Sequence, residues 1–109
     1  MPKQGGIQMV THVNAENFEK EVLQSSVPVL VDFFATWCGP CKIMSPVVEQ
    51  LGEEIAPQGK VCKLDIDEAI TIAQKYRVAS VPTFMLFQNG QAVDSRVGTC
   101  TKDELLQMF

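Results

Sequence analysis

The sequence predicts an α/β fold with a central mixed sheet of five strands, flanked by four helices on both faces. Strand-like and helix-like patterns follow one another in the order β-α-β-α-β-α-β-β-α. The two β-α-β units indicate parallel pairing with right-handed connections, whereas the last two strands, joined by a tight turn, indicate an antiparallel hairpin. The length of 109 residues suits a single domain that spans residues 1–109.

Composition and charge narrow the functional classes. Hydrophobic residues make up 46% of the chain and charged residues 20%, which are ordinary values for a folded protein. The net charge is −4 and there is no basic run, so we expect no binding to nucleic acid. Pro28 and Asp32 interrupt the longest apolar stretch, so we expect no membrane span. The first residues lack the apolar core of a secretory signal, which favours a cytoplasmic location.

The first part of the chain predicts two strands with a helix between them. Residues 1–6 are polar and rich in glycine, and we expect them to form a flexible extension. The pattern of Ile7–Val13 predicts the first strand, and Asn14 is a suitable N-cap for a helix over Ala15–Gln24. The apolar run Val27–Ala35 predicts a strand that is buried on both faces, as in parallel sheets covered by helices.

The middle of the chain predicts a long helix, a third strand and a short helix. The inner face of the long helix is predicted from apolar residues spaced four apart, which are Ile43, Val47, Leu51 and Ile55, flanked by Met44 and Val48. Pro46 lies inside this helix and should kink it, because its ring clashes with the preceding turn. Val61–Ile66 predicts the third strand, and Asp67 is a suitable cap for a short helix that continues through Tyr76.

The last part of the chain predicts a hairpin and a final helix. The strands of the hairpin are Phe84–Phe87 and Ala92–Val97, and the turn Asn89–Gly90 tolerates positive φ at both positions. Thr101 and Glu104 have the spacing of a capping box, which opens a helix that runs to the end of the chain.

Two cysteines with the spacing Cys-x-x-Cys stand where the second strand ends and the long helix begins. Residues three apart on a helix share a face, with Cβ atoms about 5–6 Å apart, which is close to the range of a disulfide. Cys38 stands at the helix N-terminus, where free N–H groups and the helix dipole favour a thiolate. Pro40 suits an early helical position, and Gly39 allows close approach of a substrate backbone. The arrangement provides a nucleophile, Cys38, and a second thiol, Cys41, that can resolve a mixed disulfide.

Zinc binding and a purely structural role are the alternatives for this pair. A zinc site of four cysteines generally needs a second close pair, whereas Cys62 and Cys100 are isolated in the sequence. His12 is the only histidine, and no other cluster of ligand-type residues completes a tetrad. The redox interpretation is therefore favoured, and we expect neither a metal nor a cofactor.

The segment Val31–Lys42, which reads VDFFATWCGPCK, closely resembles the active-site signature of bacterial-type members of the thioredoxin family. The resemblance runs from about Ile7 to Phe109 and includes the segments Lys63–Asp67, Val81–Phe84, Phe87–Gly90 and Val97–Gly98. It implies the thioredoxin fold and a protein-disulfide reductase that works by dithiol–disulfide exchange and keeps the thiols of target proteins reduced. The implied partners are disulfide-containing target proteins and a thioredoxin reductase, and the implied state is a monomer.

The resemblance also implies roles for single residues. Cys38 would be the attacking thiol and Cys41 the resolving thiol. Asp32 would be the buried carboxylate that assists deprotonation of Cys41, with Lys63 as its charge neighbour. Pro82 would be a cis-proline that faces the disulfide. The surface that receives target proteins would comprise Trp37, Gly39, Pro40, Val81, Pro82 and Gly98.

The alternation of side chains along the predicted strands adds expectations of its own. Asp32 stands among apolar residues, so its side chain should be buried and its pKa raised. If Lys63 faces Asp32, then Cys62 faces the opposite, apolar side and should be an inert small hydrophobe. Cys100 precedes the final helix and should pack against Leu105 in a hydrophobic staple. A regulatory second redox site formed by Cys62 and Cys100 is the alternative.

Three functional hypotheses follow from these residues. The first is a general protein-disulfide reductase, the second an electron donor to a narrow set of targets, and the third a binding module in which redox chemistry is incidental. The joint presence of both active-site cysteines, the buried carboxylate and the proline disfavours a binding module. The chain departs from the usual family pattern at Phe34, where Trp is frequent, and at Thr99 and Cys100, where small or apolar residues are usual.

Overall fold

The computed structural model describes residues 10–109. The segment 1–6, expected to be a flexible extension, and residues 7–9 of the predicted first strand lie outside the described residues. The strands are β1 (Val10–Val13), β2 (Val29–Phe34), β3 (Lys60–Asp65), β4 (Thr83–Gln88) and β5 (Gln91–Val97). The helices are a π-helical segment (Glu19–Leu23), α1 (Gly39–Ile55), α2 (Ile70–Lys75) and α3 (Lys102–Leu106).

The five strands form one mixed sheet in the order β1-β3-β2-β4-β5. Strand β3 pairs in parallel with both β1 and β2, whereas β4 is antiparallel to β2 and β5. This arrangement confirms the predicted α/β fold and its sheet. Its register places Asp32, on the central strand, opposite Lys63 on one side and Phe84 on the other.

Apolar side chains form a core on each face of the sheet. Alternate residues of β2 enter opposite cores, with Phe33 on one face and Leu30 on the other. The first core also holds Val22 of the π-helical segment. The second core holds Leu51 of α1 and Leu105 of α3, so helices cover both faces as predicted. In the part of the chain that is described, no helix has the length and apolar character needed to cross a bilayer.

The predicted first helix is shorter than expected. The side chain of Asn14 accepts hydrogen bonds from the backbone N–H groups of Glu16 and Asn17, at 2.9 and 3.3 Å, so it does cap the first turn. Asn17 returns a bond, because its side-chain oxygen accepts from the Asn14 N–H at 2.7 Å. The backbone makes a helical bond across the same turn, because the Phe18 N–H donates to the Asn14 carbonyl oxygen at 3.0 Å. Over Glu19–Leu23 the segment is π-helical, whereas an α-helix was predicted.

The inner face of α1 is rotated relative to the prediction. Ile43 was expected in the core but is 69% exposed. Of the predicted stripe, Leu51 is buried, and Val47 and Ile55 pack partly buried against the core. The buried side chains of α1 are Cys41, Met44, Val48 and Leu51. Their spacing alternates between three and four residues, which follows the helical period, whereas a strict spacing of four drifts by about 40° at each step.

Local signals near the C-terminus were interpreted correctly, apart from one helix end. Asn89 and Gly90 both have positive φ, 54° and 81°, which is the hairpin turn that their sequence favours. The capping box forms, because the Thr101 hydroxyl accepts from the Glu104 N–H and the Glu104 carboxylate accepts from the Thr101 N–H. Helix α3 ends at Leu106, three residues before the predicted end.

Candidate active site

Cys38 and Cys41 form a disulfide at the junction between the central strand and α1. Their Cα atoms are 5.3 Å apart, and both side chains are buried. Cys38 is the N-cap of α1, and its sulfur accepts a hydrogen bond from the Cys41 backbone N–H at 3.1 Å. Gly39 is the first residue of the helix and Pro40 the second. The strand-to-helix position predicted for the pair is thus the one observed, and a helix N–H group points at the Cys38 sulfur.

A loop that contains a cis-proline stands against the disulfide. The Val81–Pro82 peptide bond is cis, and the carbonyl oxygen of Val81 lies 3.7 Å from the sulfur of Cys38. The Gly98 N–H donates to the carbonyl oxygen of Pro82 at 2.8 Å, which ties the end of β5 to this loop. Gly98 has φ of 93°, a conformation that favours glycine. A second cis peptide, Ala56–Pro57, lies far from the site in sequence and was not anticipated.

A shallow groove of about 390 Å³ runs beside the disulfide. Its lining residues are Trp37, Cys38, Gly39, Pro40, Ile66, Ala79, Ser80 and Val81. Trp37 is 68% exposed, yet its indole N–H donates to the carboxylate of Asp67 at 2.7 Å. The groove thus combines an exposed aromatic ring, held in place by a hydrogen bond, with one of the two active-site sulfurs.

The prediction that Asp67 caps the short helix is wrong. Helix α2 begins at Ile70, and its N-cap, Ala69, provides no side-chain hydrogen bond. The carboxylate of Asp67 bonds to Trp37 instead, across the groove. Sequence reasoning also missed Ile66, Ala79 and Ser80 as groove residues. No local signal in the sequence links these residues or Asp67 to Trp37, because the N–H of an exposed indole can bond to water.

Asp32 is a buried carboxylate on the central strand, and one of its oxygens lacks a hydrogen bond to any described residue. Its side chain is 1% exposed, and Oδ1 has no hydrogen-bond partner among residues 10–109. Burial raises the pKa of Asp32 to about 7, and the positive charge of Lys63 opposes that rise. Within the described chain, the Lys63 ammonium is not among the groups that form an ion pair within 4 Å of a carboxylate. Lys63 therefore acts on Asp32 as a nearby charge.

The ammonium of Lys63 has other neighbours. It lies 4.7 Å from the centre of the Phe34 ring and donates a long hydrogen bond, 3.4 Å, to the hydroxyl of Ser45. These side chains line a second cavity, of about 270 Å³, on the Cys41 side of the disulfide. Its lining residues are Phe34, Ala35, Thr36, Cys41, Lys42, Ser45 and Lys63. The two sulfurs thus face different surroundings, with Cys38 on the groove and Cys41 on this cavity.

The remaining cysteines are free thiols away from the groove. Cys62 is fully buried in the core with Leu64, and burial raises its pKa to about 12. Cys100 is half-buried against the core that contains Leu105, and burial also raises its pKa. Both placements agree with the expected structural roles. Among residues 10–109, no group of three or more His, Cys, Asp or Glu side chains is arranged to hold a metal ion.

Comparison with known proteins finds similarity over nearly the whole chain. A sequence model of the thioredoxin family matches residues 9–109. The chain is 45% identical over 98 residues to a thioredoxin from Rickettsia felis, which covers 90% of this chain and 93% of that protein. It is 46% identical over 93 residues to thioredoxin 1 from Synechococcus elongatus, covering 85% and 87%. A thioredoxin from Porphyra purpurea is 44% identical over 96 residues, covering 88% and 90%.

Proposed function

Because the chain belongs to the thioredoxin family and is a thiol–disulfide oxidoreductase, we propose that Cys38 is its attacking thiol and Cys41 its resolving thiol. The observation that carries this assignment is the different surroundings of the two sulfurs. Cys38 lines the groove and accepts an N–H bond at the start of α1, so a thiolate there would border the space open to a target and would be stabilised. Cys41 lines a different cavity, which is also lined by Lys63, the strand neighbour of Asp32.

The exchange proceeds in two steps. In the reduced protein the Cys38 thiolate attacks one sulfur of a target disulfide, and the other target sulfur leaves as a thiolate that takes a proton. Cys41 then loses its proton and attacks the Cys38 sulfur of the mixed disulfide. The second target sulfur leaves, the Cys38–Cys41 disulfide forms, and two electrons have passed to the target. The disulfide in the structure is the product of this half-cycle.

Asp32 would serve as the base that accepts the proton of Cys41. Its raised pKa, about 7, suits a group that must both take and release a proton near neutral pH. Its Oδ1 is free of hydrogen bonds to other described residues, so it is available as an acceptor. The cavity beside Cys41 is large enough to admit a water that relays the proton. Lys63 would stabilise the ionised carboxylate through its charge.

The groove would receive an extended segment of the target protein. Trp37 offers an exposed apolar ring, and the Val81 backbone beside Cys38 is suited to pairing with the target backbone. A side chain built on Gly39 would meet no atom within 4 Å, so the space above it is open to a target. Pro40, Pro82 and Gly98 would complete this surface.

We further propose that a thioredoxin reductase returns the site to its dithiol form, and that the protein works as a monomer in the cytoplasm. The support is chemical, because each target reduced leaves the protein oxidised and a donor of two electrons must restore it. A disulfide-reducing role also suits a compartment in which thiols are kept reduced.

The experiment is reduction of insulin, followed by turbidity. We expect the protein to accelerate precipitation of the insulin B chain with dithiothreitol, and to do so with a thioredoxin reductase and NADPH in place of dithiothreitol. Cys38→Ser should abolish the acceleration, whereas the matched variant Cys100→Ser should keep it. If the protein is active with dithiothreitol but inactive with a thioredoxin reductase and NADPH, the proposed reductase partner is contradicted. An active Cys38→Ser would contradict the assignment of the nucleophile.

A further inference from the structure

We propose that Ser45 is a positioning residue, whose hydroxyl, together with the ring of Phe34, holds the ammonium of Lys63 beside the cavity so that it acts on Asp32 from a fixed distance. This inference rests on the proposed role of Asp32 as the base, and it assigns to Ser45 a part in the same proton transfer. No feature of the sequence pointed to Ser45.

The contacts of Lys63 carry the first step of the argument. Its ammonium donates to Ser45 at 3.4 Å and lies 4.7 Å from the centre of the Phe34 ring, and within residues 10–109 it is not in an ion pair with Asp32. An ammonium carries three donors and is strongly hydrated, so it moves to water when protein acceptors do not hold it. Lys63 is only half-buried and borders a cavity. The Ser45 hydroxyl therefore holds the ammonium at the edge of the cavity and keeps it from moving into water.

The place of Ser45 on α1 carries the second step. It stands four residues after Cys41, one helical turn further on, and both side chains line the same cavity. Ser45 is half-buried beside Met44, a fully buried apolar residue of the same helix. Its hydroxyl is the acceptor that α1 provides for the Lys63 ammonium.

The charged groups around Asp32 carry the third step. Lys63 on β3 opposes the rise of the Asp32 pKa, and Cys100, ahead of α3, is close enough for the Asp32 charge to raise its own pKa. Helix α1 brings Cys41 and Lys42 to the cavity. On β4, the neighbour of Asp32 is a phenylalanine, which does not titrate. Lys63 is thus the cation whose position sets how readily Asp32 ionises.

The test is the titration of Asp32 itself in the reduced protein. The carboxyl carbon of Asp32 is followed by ¹³C NMR between about pH 5 and pH 9, and the rate of mixed-disulfide resolution is measured over the same range. In Ser45→Ala the ammonium moves into water. We expect the pKa of Asp32 to rise by about half a unit to one unit, with the pH profile of resolution displaced in the same direction.

Matched variants separate positioning from packing. Ser45→Thr keeps the hydroxyl and should keep the parent pKa, and Gln50→Ala, an exposed change on the same helix, should do the same. Lys63→Met removes the charge, so adding Ser45→Ala to it should change the Asp32 pKa no further. Phe34→Leu, which removes the ring face, should raise the pKa in the same direction and serves if Ser45→Ala does not fold.

Three results would overturn the inference: an unchanged Asp32 pKa in folded Ser45→Ala, a lowered pKa, or the same rise in the Lys63→Met background. An unchanged pKa would mean that the hydroxyl does not affect Asp32. A lowered pKa would mean that the hydroxyl keeps Lys63 from pairing with Asp32. The same rise in the Lys63→Met background would mean that the hydroxyl acts on Asp32 without Lys63. Failure of the underlying function is seen separately. If Asp32→Asn resolves the mixed disulfide at the parent rate, Asp32 is not the base, whatever its titration shows.

Discussion

Replacing Asp32 by asparagine should stabilise the protein at neutral and alkaline pH but not in acid. Burial raises the pKa of this carboxyl from 3.8 to about 7, so the native state holds a proton that the unfolded state has released. The free energy of unfolding therefore falls as the pH rises through that window. Each unit of pKa shift corresponds to about 1.4 kcal/mol, so three units make the ionised, buried carboxylate cost about 4 kcal/mol above pH 7. Asparagine has a similar shape and no charge to bury.

The assay is urea unfolding of the parent and of Asp32→Asn at several pH values between about pH 4 and pH 9. We expect the stability advantage of the variant to be small near pH 4, to grow by about 1.4 kcal/mol per pH unit, and to level off above pH 7. Asp94→Asn makes the same chemical change on the exposed strand β5 and should show no such growth. A constant difference between parent and Asp32→Asn across the range would refute the reasoning, as would a parent that is the more stable protein at pH 8.

The remaining predictions concern three other features: the two free thiols, the bond between Trp37 and Asp67, and the cap at Thr101. Cys62 should resist alkylation until the protein unfolds, because its side chain is fully buried and its pKa is about 12, and Cys100 should react more slowly than a free thiol; rapid labelling of Cys62 in the native protein would contradict its placement. Asp67→Ala removes the acceptor of the Trp37 indole, which should raise KM for protein targets by about 2- to 10-fold and leave kcat nearly unchanged; Glu68→Ala, an exposed neighbour, is the control, and an unaltered KM would mean that the bond does not orient the ring. Thr101→Ala removes the N-cap of α3 and should lower the free energy of unfolding by about 1 kcal/mol, measured in urea; a Thr101→Ser variant should lose much less, and equal losses in both would show that the hydroxyl is not the cause.

The parts of the fold that the sequence predicts correctly are those that neighbouring residues determine. The turn at Asn89 and Gly90 depends on which residues tolerate positive φ, and the cap at Thr101 depends on a side chain three positions away. The buried central strand is predicted equally well, because a continuous apolar run is typical of a strand that has both faces covered by other elements. In each case the cause lies within a few residues of the effect.

The errors lie where distant segments meet. Aspartate often caps helices, but the carboxylate of Asp67 accepts a hydrogen bond from the indole of Trp37, thirty positions earlier in the chain. Ile43 belongs to the predicted apolar stripe, yet it is exposed, because full burial at this end of α1 falls on Met44, which the prediction placed at the flank of that stripe. Similarly, the contact between Ser45 and Lys63 joins α1 to β3 and depends on how the helix crosses the sheet. No local pattern carries that information.

The candidate site shows the same division. The position of Cys38 and Cys41 between a strand and a helix follows from the local pattern and is the one observed. The approach of Pro82 to the disulfide was expected only from family resemblance, because no local signal links the two segments. The surroundings that distinguish the two sulfurs, a groove on one side and a cavity on the other, arise only in three dimensions.

The most direct test of the exchange mechanism is trapping of the mixed disulfide. Reduced Cys41→Ser is mixed with insulin, quenched in acid, and analysed by intact-mass spectrometry with peptide mapping. Cys38 should be found linked to an insulin cysteine, in an adduct that dithiothreitol removes, and Cys38→Ser treated in parallel should show no adduct. Capture of insulin by Cys41 in the Cys38→Ser variant, or by Cys62 or Cys100 in either variant, would contradict the assignment of Cys38 as the attacking thiol.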